Sequence, residues 1–313
     1  MFDILVVGSL NADLAVRVPR FPVPGETISG GDLMILPGGK GANQAVASAK
    51  LGGSVAMLGR VGADQFGKML VDNLHCFQVD VSQVQTCSSA TGTAVIVVDE
   101  NGQNSIVLSP GANGALTPAD VDAAAAAGMQ AKVMLLQLEI PLESVLAAAA
   151  WGKKQGMLVI LNPAPARSLP EELIAALDLL VLNETELSLL TAMPVSDYDS
   201  AQVALRALQA RGACQVVLTL GAKGALAQVD ADSGYFVAAY AVPVVDTTAA
   251  GDAFIGGLAL ALARSRVFPD ALEYANACGA LAVTRFGAQP SLPTAQEVEQ
   301  FILSRQRPGN LIP

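Results

Sequence analysis

The segment LVILNPAPARSLPEELIAALDLLVLN, residues 158–183, contains a complete strand–helix–strand unit. Runs of leucine, isoleucine and valine predict buried strands at 157–161 and 178–182, and the residues between them predict a short helix near 171–176. Two strands connected through a helix lie parallel in one sheet, because the crossover returns the chain to the end of the sheet from which it started. The segment therefore predicts an α/β fold.

The alternation of helix and strand continues on both sides of this unit. Residues 2–8, FDILVVG, add a first buried strand, and no dinucleotide-binding glycine fingerprint follows it. The pattern predicts a doubly wound, mostly parallel sheet flanked by helices, and we expect residues 1–313 to form a single domain. The further elements predicted are strands at 132–138 and 214–220, hairpin strands near 224–240, and helices at 117–129, 142–154, 184–191 and 198–211 and from 251 and 268.

Two separate segments predict a second, smaller sheet. Residues 14–18 alternate apolar and polar side chains, and the chain to Leu36 is extended and broken by proline and glycine. Strand-like residues 90–98 and 104–109 flank DENGQ, where Asn-Gly favours a hairpin. We expect the segments at about 12–37 and 90–110 to pair in a small antiparallel β-sheet that forms a lid, here called the lid sheet.

The composition excludes several classes of function. The net charge is −10, with 18 lysines and arginines, so the chain lacks a basic surface for nucleic acid or an anionic membrane. It has no unbroken run of about 18 apolar residues and no N-terminal leader pattern, which favours a cytoplasmic protein. The cysteines at 76, 87, 214 and 278 lack metal-ligand spacing, and we expect free, buried thiols. The only histidine, His75, lies at a predicted helix end, so any proton acceptor is expected to be a carboxylate.

Polar residues end four of the predicted strands. VMLLQLE ends at Glu139, LVILN at Asn162, LLVLN at Asn183, and QVVLTLG at Thr219 to Gly221. In open α/β sheets, ligands bind outside the carboxyl ends of the strands. These residues predict a polar binding crevice at that edge.

The segment VVDTTAAGDAFIGG, residues 244–257, predicts the chemical centre of the crevice. A Val-Val strand is expected to end at Asp246, and an apolar helix to run from Gly251-Asp252 to about Ala263. A helix N-terminus carries unpaired amides and a partial positive charge, so it can hold a phosphate, and the small residues before Asp252 allow close approach. An ordinary capped helix explains the local sequence equally well.

Four other segments admit two interpretations each. PGGKGANQAVASAKLGG, residues 37–53, is not a Walker A loop; its glycines either bring a ligand close to the backbone or form a tight strand-to-helix turn. NETE, residues 183–186, is either a helix cap or a site that serves Mg²⁺ through waters. TLGAKG, residues 219–224, is either a tight hairpin or a nucleotide approach. Asn11 and Asp13 are either turn formers or ligand-binding groups.

Several of these motifs occur together and in order, and in this combination the chain resembles the ribokinase family of ATP-dependent sugar kinases. The resemblance extends over essentially the whole chain. It implies transfer of a phosphoryl group from MgATP to a primary hydroxyl of a sugar, the 5-hydroxyl of D-ribose. It also implies a monovalent cation, K⁺, and a homodimer formed through the lid sheet. The motifs are GSLNAD (8–13), GGKGANQA (38–45), LNPAPAR (161–167), NETE (183–186), TLGAKG (219–224), DTTAAGDAF (246–254) and VTRFGAQPS (283–291).

The resemblance also assigns roles to individual residues. Asp252 matches the catalytic base, and the amides of Ala249, Ala250 and Gly251 match the anion hole. The positions that match sugar contacts are Asn11, Asp13, Gly39, Lys40, Asn43 and Glu139. Those that match the nucleotide and Mg²⁺ side are Asn183, Glu186, Thr219, Gly221 and Asn276. Those that match the monovalent-cation loop are Asp246, Thr248, Ala282, Arg285, Gly287 and Ser291.

Three positions depart from the family pattern. Asn276 stands where histidine is often found, Phe286 where a basic residue is common, and Ala253 where threonine is frequent. These departures concern the adenine contacts and the identity of the sugar more than the reaction. The alternatives are a kinase for 2-deoxyribose, another small sugar or a nucleoside, and a sugar-binding regulator without catalytic activity. The 4% aromatic content disfavours a nucleoside pocket, and the retained Asp252 and Gly251 disfavour a regulator.

Overall fold

The computed structural model describes residues 1–213, 215–230 and 233–305. Thirteen strands and ten α-helices are assigned within these residues. The strands are β1 (Phe2–Val7), β2 (Asn11–Arg17), β3 (Met34–Gly38), β4 (Val55–Gly62), β5 (Asp80–Cys87), β6 (Gly92–Val98), β7 (Asn104–Ser109), β8 (Ala131–Leu136), β9 (Leu158–Leu161), β10 (Leu179–Asn183), β11 (Gln215–Thr219), β12 (Gly224–Gln228) and β13 (Gly234–Ala238). The helices are α1 (Lys40–Lys50), α2 (Gln65–Cys76), α3 (Pro118–Ala126), α4 (Leu142–Lys154), α5 (Glu171–Ala176), α6 (Glu184–Thr191), α7 (Tyr198–Ala210), α8 (Ala250–Ala263), α9 (Phe268–Ala282) and α10 (Ala295–Ser304).

The main sheet has nine strands in the order β13-β12-β11-β10-β9-β8-β1-β4-β5. Seven of them, from β11 to β5, are parallel, and β12 and β13 continue the sheet as an antiparallel hairpin. The chain builds outward in one direction through β4 and β5 and in the other through β8 to β11. The predicted doubly wound sheet is therefore confirmed, and its topological switch lies between β1 and β8, where ligands bind in such folds.

Helices cover both faces of this sheet, because its central strands are apolar on both sides. One buried cluster joins the sheet to α1, α2, α8, α9 and α10, and a second joins the other face to α3 through α7. Helix α8 is apolar around most of its circumference, and it is buried between α1 and α9. Helix α8 is therefore a central element of one helical layer. Its packing fixes the position of its N-terminal residues near the carboxyl ends of the strands.

The lid sheet is present, with the strand order β3-β2-β6-β7. Its outer pairs, β2–β3 and β6–β7, are antiparallel, whereas the central pair β2–β6 is parallel. The hairpin between β6 and β7 has Gly102 at a φ of 77°, as the Asn-Gly signal predicts. The parallel pair β2–β6 joins two segments that are far apart in the sequence. Local sequence patterns therefore do not predict the direction of this pairing.

Some local expectations differ from the structure. Val244 and Val245 are 65% and 61% exposed and form no strand; the amide of Val245 instead donates to the carbonyl of Val283 at 2.8 Å. The valines have strand propensity, but no strand in the described part of the chain pairs with them. Strands β4 and β5 are not predicted by the sequence, because glycines interrupt the first and polar residues fill the second.

The cysteines also differ in part from the expectation. Cys278 is buried, and burial raises the pKa of its thiol, but Cys76 is exposed and Cys87 is partly buried. Cys214, at the start of the strand predicted at 214–220, lies outside the described residues, as do residues 231 and 232 of the predicted hairpin. His75 lies exposed in the last turn of α2. In the part of the chain that the structure describes, no helix has the length and apolar character to cross a membrane.

Candidate active site at the switch point of the sheet

The N-terminus of α8 forms one wall of a cavity that lies at the carboxyl ends of the strands of the main sheet. Ala249 precedes the helix in the left-handed conformation, with φ 58°, and supplies no side-chain cap. Among the described residues, the amides of Ala249 and Gly251 donate to no protein acceptor, while the Ala250 amide donates to Thr247 O at 3.3 Å. A Cβ on Gly251 would meet no atom within 4 Å, so this residue faces open space. The turn has free donors and room for an anion.

Asp252 lies in the first turn of α8 with 7% of its surface exposed. Its Oδ2 accepts a hydrogen bond from Asn43 Nδ2 at 3.0 Å, and its Oδ1 accepts one from Gln44 Nε2 at 3.0 Å. A buried carboxylate requires such donors, because it has lost its contacts with water. Helix α1, which packs beside α8, thus fixes the orientation of the carboxylate.

Glu139 organises the other end of the site, just beyond the end of β8. Its Oε2 accepts hydrogen bonds from Ser9 Oγ at 2.5 Å, from Lys40 N at 3.1 Å and from Asn11 Nδ2 at 3.4 Å. Asn113 donates from Nδ2 to Asn11 Oδ1 at 2.7 Å and so orients that amide. The predicted sugar-binding residues from β2, α1 and the end of β8 are therefore brought together.

Two glycines allow the backbone to pack against these side chains. A Cβ on Gly38 would lie 2.1 Å from Asp13 Oδ2, and one on Gly39 would lie 2.7 Å from the backbone nitrogen of Asn11. Gly39 also has a φ of 88°, which favours glycine. The crowding of glycines before α1 is thus explained by close approach to Asn11 and Asp13 as well as by the turn itself.

The charges in this part of the site are strongly coupled. Burial raises the pKa of Asp13 to about 7, with smaller contributions from Glu139 and Asp252, while Lys40 opposes the shift. Burial lowers the pKa of Lys40, but Asp252, Glu139, Glu186 and Asp13 outweigh it and hold this pKa above its usual value. Lys40 is therefore protonated at neutral pH, and its positive charge lies among these four acidic residues.

A cavity of about 230 Å³ connects the two groups of predicted residues, since Lys40 and Asp252 line it together with Asn183, Glu186 and Thr219. Asn183 and Glu186 form a reciprocal cap at the start of α6, with both hydrogen bonds at 2.9 Å. Burial raises the pKa of Glu186, against lowering by the Asn183 amide and Lys40. The cap interpretation of NETE is thus correct, and the same residues face the cavity.

A second cavity of about 570 Å³ adjoins the first and shares Thr219, Thr247 and Gly251 with it. Its walls are mostly apolar, and Gly221 and Asn276 lie among them. Asn276 Nδ2 donates to Ala238 O at 2.9 Å. The predicted nucleotide-side residues therefore lie around two continuous spaces, a polar one at Asp252 and an apolar one beyond it.

The predicted cation loop is brought together only in part. Asp246 Oδ1 accepts from Thr248 N at 2.9 Å and Thr248 Oγ1 at 2.6 Å, and Oδ2 accepts from Gly287 N at 2.9 Å. Burial raises the pKa of Asp246, but these bonds hold it below its usual value. The polar side chains of Arg285 and Ser291 bond elsewhere: Arg285 pairs with Glu297 at 2.5 Å, and Ser291 Oγ donates to Ala288 O at 2.8 Å, while Ala282 has no polar side-chain atom.

Five further residues support the site and are not predicted by the sequence: Ser9, Gln44, Asn113, Gln137 and Gln289. Ser9, Gln44 and Gln289 lie within quoted motifs, and Gln137 lies within the predicted strand VMLLQLE, where a polar residue in an otherwise apolar run is the signal that could have found it. Among the described residues, no group of three or more histidine, cysteine, aspartate or glutamate side chains is arranged to hold a metal ion. Any Mg²⁺ here would rely on few direct protein ligands, as is usual for that ion.

An α/β sheet that places a carboxylate beside an amide-lined helix N-terminus, next to a group of polar side chains, has the features that a phosphotransferase acting on a hydroxyl group requires. The profile of the pfkB family carbohydrate kinases matches residues 1–295. The chain therefore belongs to the pfkB family of carbohydrate kinases, which transfer phosphate to a hydroxyl group.

Individual relatives agree with this assignment. The chain is 42% identical over 298 residues to the ribokinase of Haemophilus influenzae, covering 95% of this chain and 97% of that protein. It is 41% identical over 303 residues to the deoxyribokinase of Salmonella typhi, covering 96% and 98%. The structure of Arabidopsis thaliana ribokinase complexed with ribose and ATP superposes with a TM-score of 0.89 at 35% identity, covering 96% of this chain and 98% of that one. The recognised family resemblance is thus confirmed over nearly the full length.

The raised pKa of Asp13 predicts a pH-dependent effect on stability. Between about pH 4 and pH 7 this carboxyl is ionised in the unfolded chain but protonated in the fold, so it destabilises the fold increasingly as pH rises through that interval. Asp13→Asn removes the titration and should raise the melting temperature more at pH 8 than at pH 5, measured without sugar. Asp72→Asn, which removes an exposed carboxylate, provides the baseline. A melting-temperature difference for Asp13→Asn that does not change with pH, after this baseline is subtracted, would contradict the assignment.

Proposed function

We propose that this protein transfers the γ-phosphoryl group of ATP to the 5-hydroxyl of D-ribose. The observation that carries the proposal is one cavity that is lined by Asp252, Lys40, Asn183, Glu186 and Thr219. It offers a proton acceptor and a phosphate-binding turn within one space, between a polyol pocket and an apolar pocket suited to a nucleobase. The ribokinases of Haemophilus and Arabidopsis, the latter in complex with ribose and ATP, support this choice of substrates.

In the proposed reaction the sugar hydroxyl oxygen attacks the γ-phosphorus, the bond from that phosphorus to the bridging oxygen breaks, and ADP leaves. Asp252 accepts the hydroxyl proton as the new bond forms. Phosphoryl transfer has a loose transition state, so positioning and charge stabilisation dominate its catalysis. The amides of Ala249, Ala250 and Gly251 would stabilise the charge on the transferred group, and the Ala250 amide would exchange its long bond to Thr247 for a phosphate oxygen.

A Mg²⁺ ion bound with ATP would neutralise charge on the phosphates. Asn183 and Glu186 fit this role, because Glu186 is a buried carboxylate on the cavity wall with one oxygen engaged by its own cap. Such a site would use waters as its other ligands. The proposed adenine contacts are Thr219, Gly221 and Asn276, around the larger apolar space.

A monovalent cation is proposed at the loop beside the anion hole. Asp246 is bonded through Thr248 to the turn that leads into α8, and through Gly287 to the loop after α9. A K⁺ ion held there, with ligands from Ala282, Arg285 and Ser291, would draw the two loops together and order the amides before α8. Arg285 would take part through its backbone, because its guanidinium is paired with Glu297.

We further propose a cytoplasmic homodimer of single-domain subunits. The lid sheet has exposed apolar side chains on both faces, including Ile35, Val95, Ile106, Val107 and Leu108, at 42–66% exposure. On β7, a strand at the sheet edge, all six residues are exposed. A second lid sheet would cover this surface, which is apolar enough to favour association.

A kinase for 2-deoxyribose is the second candidate. The deoxyribokinase of Salmonella is 41% identical, almost as similar as the Haemophilus ribokinase at 42%. Both candidates use the same reaction and differ in whether the site contacts a 2-hydroxyl. Asp13 is proposed to bond two neighbouring ring hydroxyls, which favours ribose.

The role of Asp252 is tested by Asp252→Asn. The amide keeps the size of the side chain but cannot accept the proton, so kcat should fall by roughly 10²–10⁴-fold, the range for loss of a general base. Sugar binding, measured by calorimetry, should remain largely intact. Near-normal turnover would remove Asp252 from the mechanism.

The identity of the sugar is tested by a coupled ADP-release assay. D-ribose should exceed 2-deoxy-D-ribose in kcat/KM by at least about tenfold, which corresponds to roughly 1.4 kcal/mol, because a buried acceptor is left unpaired by the deoxy sugar. Asp13→Ala should lower activity on both sugars and shrink the gap. If 2-deoxyribose were the better substrate, the kinase proposal would survive and the ribose proposal would be wrong.

Cation dependence is tested at matched ionic strength in potassium and tetramethylammonium chloride. Ordering of the anion hole lowers the reorganisation needed as phosphate charge develops, so kcat should be at least about threefold higher in potassium. Asp246→Asn should reduce this ratio. Equal rates in the two salts would exclude a cation at this loop.

A further inference from the structure

Each oxygen of the Asp252 carboxylate accepts a hydrogen bond from one side-chain amide. The oxygen of each of these amides accepts a hydrogen bond from a second side-chain amide, which lies farther from Asp252. Gln44 donates to Oδ1 and Asn43 to Oδ2, both at 3.0 Å. These two residues are consecutive in α1, and Gln44 is fully buried. Gln137 and Gln289, the amides that lie behind them, are buried and line neither of the two cavities, so they belong to the support of the site.

The first series of amides, here called the Gln137 chain, runs from β8 to Asp252. Gln137 Nε2 donates to Gln44 Oε1 at 2.6 Å, and Gln44 Nε2 donates to Asp252. Gln137 is fully buried, and its Oε1 has no hydrogen-bond partner among the residues that the structure describes. A Cβ on Gly8 would lie 2.1 Å from this oxygen, so the glycine at the end of β1 makes room for it. A buried unpaired oxygen is costly, and such exceptions call for an explanation.

The second series, here called the Gln289 chain, approaches from the other side. Asn73 on α2 donates from Nδ2 to Gln289 Oε1 at 2.6 Å, and Gln289 Nε2 donates to Asn43 Oδ1 at 3.2 Å. Asn43 Nδ2 then donates to Asp252. Gln289 has 2% of its surface exposed, so this chain too is enclosed by protein.

The direction of both chains follows from the chemistry of the groups. A carboxylate only accepts hydrogen bonds, whereas a side-chain amide donates through nitrogen and accepts through oxygen. Asn43 and Gln44 must therefore present their nitrogens to Asp252, and their oxygens must face outward. Each outward oxygen needs a donor, which Gln289 and Gln137 supply. The reversed orientation would place a carbonyl oxygen against the carboxylate.

We infer that Gln137 and Gln289 are positioning residues that hold the Asp252 carboxylate in its reactive orientation, acting through Gln44 and Asn43. This inference rests on the proposed role of Asp252 as proton acceptor. Gln137 must present its nitrogen to Gln44, so its oxygen points away from Gln44, where no donor among the described residues meets it. A purely structural role, holding α1 against the sheet, would favour an apolar side chain at this fully buried position.

The test is Gln137→Met and Gln289→Met, which keep the approximate shape of the side chain and remove the amide. For each variant, kcat should fall at least about fivefold at saturating ribose and ATP, while both KM values stay within about twofold. The melting temperature of Gln137→Met should be unchanged or higher, because the unpaired oxygen is removed. Gln228→Met, the same change at a buried glutamine of β12 outside the site, is the matched control and should keep its kcat within about twofold.

A double-variant comparison separates positioning from structure. In the Asp252→Asn background, Gln137→Met should have no further effect on the residual rate, because no carboxylate remains to be oriented. A kcat for both single variants within twofold of the parent, or an undiminished effect in the Asp252→Asn background, would overturn the inference. If Asp252→Asn itself were active, the proposed function would fail instead, so the two failures are distinguishable. Gln289 lies on a different segment from Gln137. If Gln137→Met does not fold, Gln289→Met therefore still tests the inference.

Discussion

The burial of one carboxylate at the N-terminus of an apolar helix is the constraint on which this structure depends. Asp252 is almost fully enclosed, and it is paired with two amide donors on α1. This pairing requires α1 and α8 to lie side by side, and the small residues at their contact allow it: a Cβ on Gly256 would lie 2.7 Å from Ala47 Cβ. The same contact brings Lys40, at the start of α1, to the cavity that Asp252 lines. The helix pair therefore sets the distance between the proposed sugar pocket and the proposed phosphate-binding turn.

Short polar residues at the start of β2 lie between the lid sheet and the site around Asp252. Asn11 and Asp13 lie on β2, and the backbone of Gly38 and Gly39 packs against them at distances that exclude a side chain. Glu139 gathers Ser9, Asn11 and the Lys40 amide at the switch point of the main sheet. The lid sheet thus supplies Asn11 and Asp13 to the proposed sugar pocket directly. This coupling suits a kinase, because a site that excludes water transfers phosphate to the sugar rather than to water.

The sequence predicts those parts of the fold that have a local signature. The strands around residues 158–183 are predicted closely because their leucine, isoleucine and valine runs are bounded by turn residues. Val244 and Val245 have the same propensity, but pairing partners decide strand formation, and the sequence does not show these. The parallel pairing of β2 with β6 likewise joins distant segments, which no local pattern specifies. Strand β5 is missed because it lies at the sheet edge, where polar residues are tolerated.

The site divides in the same way. Asp252, Lys40 and Glu139 are predicted because they lie in recognisable motifs at the ends of secondary structure elements. Gln137 and Gln289 are not, because a lone glutamine gives no indication of the partner that its amide meets 93 residues away at Gln44 or 246 residues away at Asn43. Asp252 is proposed to face the 5-hydroxyl of the sugar, beside the turn that is proposed to bind the γ-phosphate. The most direct measurement is a crystal structure with D-ribose and a non-hydrolysable ATP analogue. The 5-hydroxyl oxygen should lie within about 3.2 Å of an Asp252 carboxylate oxygen, with the γ-phosphate at the N-terminus of α8. A 5-hydroxyl bound at Asp13 or Glu139, with another group facing Asp252, would contradict the account.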